Sequence, residues 1–163
     1  MRTLLLLLLS MFSSACSPGK DPSPPSAGTY AIVFPSTAAA VSADSVKVFV
    51  FDAADSGVDR LCPNLVIARR SNQALPSPLA ESRTTPPCDL VLGKGQITVS
   101  YGVRAILAVA QKEGADYLIG CAVQNVAEGS AQVPVQLALA SSTVSVPPTT
   151  CATLTDHCSN RCP

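Results

Sequence analysis

The sequence predicts an all-β domain: a single β-sandwich of about seven strands with a short Cys-rich C-terminal helical tail. Three observations lead there. Residues 45–51, Ser-Val-Lys-Val-Phe-Val-Phe, alternate so that Val46, Val48 and Val50 share one face and Lys47, Phe49 and Phe51 the other. Such period-two alternation is the signature of a strand in a layered sheet. Further β-rich apolar runs recur at short intervals between turn-forming stretches, the layout of a sandwich. The last fifteen residues, 149–163, break this pattern and carry three of the chain's seven cysteines.

The N-terminus comes before any of these elements. Arg2 supplies a positive start, and residues 3–12 form an apolar stretch of the length a secretory signal needs. That stretch is too short to span a bilayer, which takes about 20 apolar residues. Ser13, Ser14 and Ala15 then place a cleavable bond before Cys16. The stretch resembles the lipobox of bacterial lipoproteins, in which a small residue precedes a cysteine that is lipidated and becomes the mature N-terminus. Ser13 departs from the pattern, since that family usually has Leu there. Ser13 and Ala15 also satisfy the small-x-small rule for ordinary secretion at the same bond. Cysteine parity favours lipidation: seven thiols leave one over, and assigning Cys16 to lipid leaves six to pair. By the same resemblance Ser17, in place of Asp, directs the protein to the outer membrane, on its periplasmic or surface face.

Residues 1–15 are therefore read as a signal peptide, and 16–27 as a lipidated cysteine with a Pro/Ser-rich linker. Residues 28–148 are read as the sandwich and 149–163 as a tail docked on it. Pro and Ser keep such a linker extended and polar. The ~120 residues that follow suffice for one domain with one core. Loss of Arg2 leaves ten basic against eleven acidic residues. Neither a basic patch nor a charge run points to nucleic acid.

Within the domain, residues 29–34 (Thr-Tyr-Ala-Ile-Val-Phe) read as a strand ended by Pro35, and 45–51 as the next. A polar turn follows, then Leu65–Arg70, an ambiguous apolar segment ending in Arg69 and Arg70, read as a polar strand end. Residues 71–89, rich in Pro, Ser and Thr, read as a long surface loop bracketed by Cys62 and Cys88. Strand signals resume at 95–102 and 104–111. The turn Lys-Glu-Gly-Ala-Asp leads to a hairpin partner at 117–126, and 132–139 adds a last strand. There Pro134 marks an edge or a bulge.

Residues 97–111, Ile-Thr-Val-Ser-Tyr-Gly-Val-Arg-Ala-Ile-Leu-Ala-Val-Ala-Gln, look like the β-turn-β segment of transthyretin-like and carboxypeptidase-regulatory-like sandwiches. The fold this implies is an immunoglobulin- or transthyretin-like sandwich. The lipobox, Gly120-Cys121 within a late strand and the three-cysteine tail together resemble uncharacterised surface lipoproteins of myxobacteria and related Gram-negative bacteria. No activity comes with that resemblance.

Export to an oxidising compartment makes disulfides the expectation for Cys62, Cys88, Cys121, Cys151, Cys158 and Cys162. Six cysteines allow fifteen pairings. The preferred ones join Cys62 to Cys88 across the Pro-rich loop and use Cys121 as a partner for the tail. Thr149 or Thr150 is placed as the cap of a tail helix that carries Cys151, Cys158 and Cys162 on one face. The competing reading is a zinc site of Cys151, His157, Cys158 and Cys162, against which stand the adjacency of His157 to Cys158 and an export route that favours oxidation. Asp52, Asp55 and Asp59 form an acidic loop that lacks the ligand alternation of an EF-hand and reads as a solvated turn rather than a calcium site. Gly93-Lys94-Gly95 lacks the length and the Ser/Thr of a phosphate loop. Tyr30, Tyr101 and Tyr117 read as core or rim residues.

The one histidine lies in the tail, and no Ser has a nucleophile-elbow context, so no enzymatic role and no cofactor are expected. The expected partners are the membrane, through the N-terminal lipid, and an envelope protein. The expected role is protein interaction or structure; the alternative is metal binding or thiol redox chemistry in the tail.

Overall fold

The computed structural model describes residues 27–54 and 57–162. Cys16, the expected signal peptide, the linker up to residue 26 and Asp55 lie outside them. The elements run β1 (Ala27–Gly28), β2 (Tyr30–Val33), α1 (Thr37–Ser42), β3 (Ser45–Asp52), α2 (Val58–Arg70), β4 (Ala80–Glu81) and α3 (Pro87–Val91). There follow β5 (Val99–Ser100), β6 (Gly102–Lys112), β7 (Ala115–Val126), β8 (Val133–Gln136), β9 (Ala138–Leu139) and α4 (Leu154–Cys158). The protein is sheet-rich with a small helical tail, and its centre is a five-stranded antiparallel sheet in the order β4-β3-β6-β7-β9.

The alternation at 45–51 forms β3 as expected. Val46, Val48 and Val50 pair with Ala110, Ala108 and Ile106 of β6, and all six side chains are buried in one cluster. The β6–β7 hairpin turns through Glu113 and Gly114, both at positive φ, where the second, a glycine, carries no Cβ penalty. Six consecutive residues of β6, Ala105 to Ala110, are buried. A strand buried on both faces reads as a continuous apolar run, and the sheet must then be covered twice.

One face is covered by two small strand pairs, β2–β8 and β1–β5. Their Tyr30, Val99, Val133 and Val135 join Val46, Val48, Ile106 and Leu118 in the larger core cluster. The β2–β8 pair is parallel: the N–H groups of Val133 and Leu137 donate to the carbonyls of Thr29 and Val33. Pro134 falls between, at a register position whose N–H would face away from β2, so the missing donor costs this pair nothing. Gly120, in the middle of β7, lies beneath the chain leaving β8. A Cβ there would stand 2.8 Å from the carbonyl carbon of Gln136 and 3.1 Å from Cα of Leu137.

The other face is covered by α2. Leu61, Cys62, Leu65 and Val66, spaced as one side of a helix, pack on Phe51, Ala105, Leu107, Val109 and Ile119. This helix corrects the expectation at Leu65–Arg70. Pro63 interrupts the apolar pattern and lacks the N–H that would reach the carbonyl of Asp59, so the short window after it does not show its period. Asp59 stands in the first turn and Arg69 and Arg70 in the last, each matching the helix dipole. Arg69 and Arg70 are thus a helix C-terminus and not a strand end.

The stretch 71–89 is also more ordered than a surface loop. β4 pairs with β3, and the Thr85 backbone exchanges two hydrogen bonds with Val46. Ser82 and Thr85 are buried, with the Ser82 hydroxyl accepting from the N–H of Val48 at 2.9 Å. Of residues 95–102 only Val99–Ser100 is a strand, ahead of the β6 start at Gly102. Among the described residues nine strands, several of two residues, stand where about seven were expected. Among the described residues no helix is long and apolar enough to cross a membrane.

Replacing Gly120 by Ala is expected to cost about 1–3 kcal/mol, the range for overpacking a filled core, because backbone rather than a pliant side chain meets the new methyl group. Denaturant unfolding would show this as a lower midpoint at unchanged slope. Tyr30 makes a second prediction. Burial pushes its hydroxyl above the ordinary 10.0, outweighing the opposing hydrogen bond from the Ile97 N–H. The folded state therefore favours the neutral phenol, whose contribution is present below pH 10 and lost as pH rises through the folded value. Stability should fall above pH 10, and Tyr30→Phe should make that fall shallower.

Candidate functional site

The cysteines, not a cleft, organise the chemistry of this chain. Cys62 on α2 pairs with Cys121 on β7, with Cα atoms 5.4 Å apart. Cys88 on α3 pairs with Cys158 at the end of α4, at 5.3 Å, and Cys151 pairs with Cys162 at 4.7 Å. All six expected cysteines are joined, but the preferred Cys62–Cys88 pairing is wrong, and Cys121 is not a partner of the tail. The physical reason lies in faces. Gly120 and Cys121 point to opposite sides of β7: Gly120 admits the chain from β8, and Cys121 meets the apolar side of α2. Cys88 has been carried to the far side of the sheet, where it sits beside the tail.

The tail is anchored from two directions. The Thr37 hydroxyl of α1 donates to the carbonyl of Ala152 at 3.0 Å, and Cys158 is tied to α3. Thr153, not Thr149 or Thr150, caps α4: its hydroxyl accepts from the N–H of Asp156 at 3.1 Å. Thr149 instead accepts from the N–H of Cys151 at 3.2 Å. Past the helix, Asn160 turns at positive φ, and the N–H of Arg161 donates back to the Asp156 carbonyl at 2.8 Å. This return brings Cys162 against Cys151. The helix spans only Leu154–Cys158, so the three tail cysteines do not share one helical face as expected. The tail docks on α1 and α3 at the margin of the sheet.

His157 Nδ1 stands 3.8 Å from Cys151 Sγ, and the ligand atoms of Cys151, His157 and Cys162 lie within 4.8 Å of one another. Cys158, bonded to Cys88, is not in that group, and Cys151 and Cys162 within it are bonded to each other. Beside it a cavity of about 150 Å³ is lined by Ala40, Asp44, Pro87, Cys88, Leu154 and His157. A second, of about 210 Å³, lies between β2 and α3, with Tyr30, Ile32, Phe34, Leu90, Val91 and Leu154 in its walls.

The remaining candidates resolve as structure. Asp52 accepts from Arg104 Nη1 at 2.9 Å, and Asp59 is exposed in the first turn of α2. Among the described residues, Asp52 and Asp59 join no cluster able to hold a metal. Gly93 and Gly95, both at positive φ, form the turn after α3, with Lys94 paired to Asp89 at 3.2 Å. Tyr30 and Tyr117 are core residues.

Two arginine clamps escaped sequence reading. Arg104 Nε donates to Ser100 Oγ at 3.0 Å, while its guanidinium also reaches Asp52 and the carbonyls of Val103 and Tyr101, bracing the turn into β6. Arg69 Nε lies 2.6 Å from Asp116 Oδ2, tying the end of α2 to the start of β7 beside a cavity of about 460 Å³. A charged residue flanking an apolar run was the only signal for either.

Replacing Cys62 and Cys121 together by Ala should cost ~4 kcal/mol, the chain-entropy value for a loop of 59 residues. Protease susceptibility of α2 should rise with it, because the helix loses its covalent hold on the sheet. Compared with known protein families, with curated proteins and with solved structures, the chain matches none.

Proposed function

We propose that the protein is a lipid-anchored component of the bacterial cell envelope, attached through Cys16 to the outer membrane, with a non-enzymatic protein-interaction or structural role. One observation carries this reading: the six cysteines of the folded region pair among themselves. Three disulfides in a domain of this size fit an oxidising, exported environment. Cys16 stands outside these three bonds, at the position the lipobox resemblance assigns to lipid. Several acyl chains, at about 0.8 kcal/mol per buried CH2, make a durable anchor. β1 begins at Ala27, where the expected linker ends. The domain itself is read as a β-sandwich variant: the five-stranded sheet is one layer, and the β2–β8 and β1–β5 pairs make up the other, over the core of Val46, Val48, Ile106 and Val135.

A second reading, metal binding or thiol redox chemistry in the tail, is favoured by the approach of His157 to Cys151, and it is now confined to Cys151, His157 and Cys162.

The anchor has a direct test. The mature protein should begin at Cys16 and carry the mass of the lipid, and Cys16→Ala should release it from the membrane fraction. An unmodified Cys16 in the mature protein would rule the anchor out.

A further inference from the structure

We propose that the tail has a second state, in which Cys151 and Cys162 are reduced thiolates that bind one zinc-class ion together with His157. This deepens the metal-or-thiol reading of the tail and does not depend on the lipid anchor.

The geometry supports it in three ways. Zinc–sulfur bonds of about 2.3 Å and zinc–nitrogen bonds of about 2.0–2.1 Å, at a tetrahedral angle, put a thiolate and an imidazole about 3.5 Å apart. Cys151 Sγ and His157 Nδ1 already stand 3.8 Å apart. Two thiolates on one zinc need about 3.8 Å between sulfurs. Side-chain rotation reaches that from Cα atoms 4.7 Å apart.

The scaffold that places the three ligands is also independent of the bond that must open. His157 is held by its neighbour Cys158, which stays tied to Cys88. Thr153 caps the helix and Thr149 holds the N–H of Cys151. The return of Cys162 is fixed by the Arg161 N–H on Asp156 and by the Arg161–Asp156 ion pair at 3.5 Å. Opening Cys151–Cys162 therefore leaves the ligands near one another.

Access is the third point. His157 is exposed and Cys162 half-buried, so an ion can arrive from solvent. Three protein ligands leave a fourth position to water, and a mixed thiolate and imidazole set suits zinc rather than calcium or magnesium.

The change of state balances. A dithiol reductant attacks the Cys151–Cys162 disulfide and passes through a mixed disulfide. It leaves as its own disulfide, and the tail gains two electrons and two protons. Metal binding then displaces the two thiol protons. In reverse, the disulfide form of that dithiol takes two electrons from the thiolates, Cys151–Cys162 closes and the ion is released.

The test is oxidation of the fully reduced protein with and without zinc. Without zinc, three disulfides should form. With zinc, Cys62–Cys121 and Cys88–Cys158 should close, while Cys151 and Cys162 stay alkylatable only after the metal is chelated, with one zinc per chain by native mass spectrometry. Cobalt in place of zinc should give the visible bands of a tetrahedral thiolate site. His157→Ala should still form three disulfides without zinc, showing that it folds, but should bind zinc at least about tenfold more weakly. Cys162→Ser should weaken the thiolate-to-cobalt band, since Cys151 alone is then left as a thiolate ligand. Closure of all three disulfides at the same rate with zinc, protection of other cysteines, or equal zinc affinity in His157→Ala would each overturn the proposal.

Discussion

The burial of β6 on both faces is the constraint on which the rest of this structure depends. Six successive side chains, Ala105 to Ala110, point alternately to two cores, and neither face can be left to water. The face carrying Ile106, Ala108 and Ala110 is covered by strands whose own sequences are apolar enough to hold it. The face carrying Ala105, Leu107 and Val109 is left to one helix, α2, which has a proline in its sixth position. A thirteen-residue helix interrupted in this way is marginal by itself and owes its stability to packing. The bond from Cys62, next to Pro63, to Cys121 in the middle of β7 fixes the helix where its own hydrogen bonding is poorest.

The same logic extends to the tail. Helices α3 and α4 have five residues each, far below the length that persists alone in water. They are held as a pair by Cys88–Cys158, and the chain beyond is folded back by Cys151–Cys162. With no Trp and only four Phe, the core is built from small side chains such as Val and Ala, and the covalent links offset what it lacks in apolar area. The disulfides thus stand at the three places where the chain leaves the central sheet without a strong local structure of its own.

Much of the sheet was legible in the sequence because it follows from local rules. The alternation at Val46, Val48 and Val50 set the face of β3, and the turn at Glu113-Gly114 joined the two longest strands. The helix α2 was hidden because Pro63 splits its apolar pattern, leaving too short a window after it to reveal the period. The disulfide pairing was hidden for an energetic reason. Closure entropy grows only as the logarithm of loop length, so a 26-residue loop and a 59-residue loop differ by less than about 1 kcal/mol. Spacing therefore cannot choose between Cys88 and Cys121 as the partner of Cys62; sheet parity can. Cys121 shares its face with Leu107 and Ile119, the side that α2 covers, and Cys88 is reached only once residues 71–89 are recognised as a path along β3 to the tail. The approach of Cys162 to Cys151 needed the turn at Asn160, which no periodicity announces.

Peptide mapping of the purified, non-reduced protein tests this architecture most directly. The predicted result is three linked pairs, Cys62–Cys121, Cys88–Cys158 and Cys151–Cys162, with Cys16 in none of them. A Cys62–Cys88 link would contradict the closure of the second sheet face by α2. A disulfide that includes Cys16 would contradict the self-contained pairing on which the anchored reading stands.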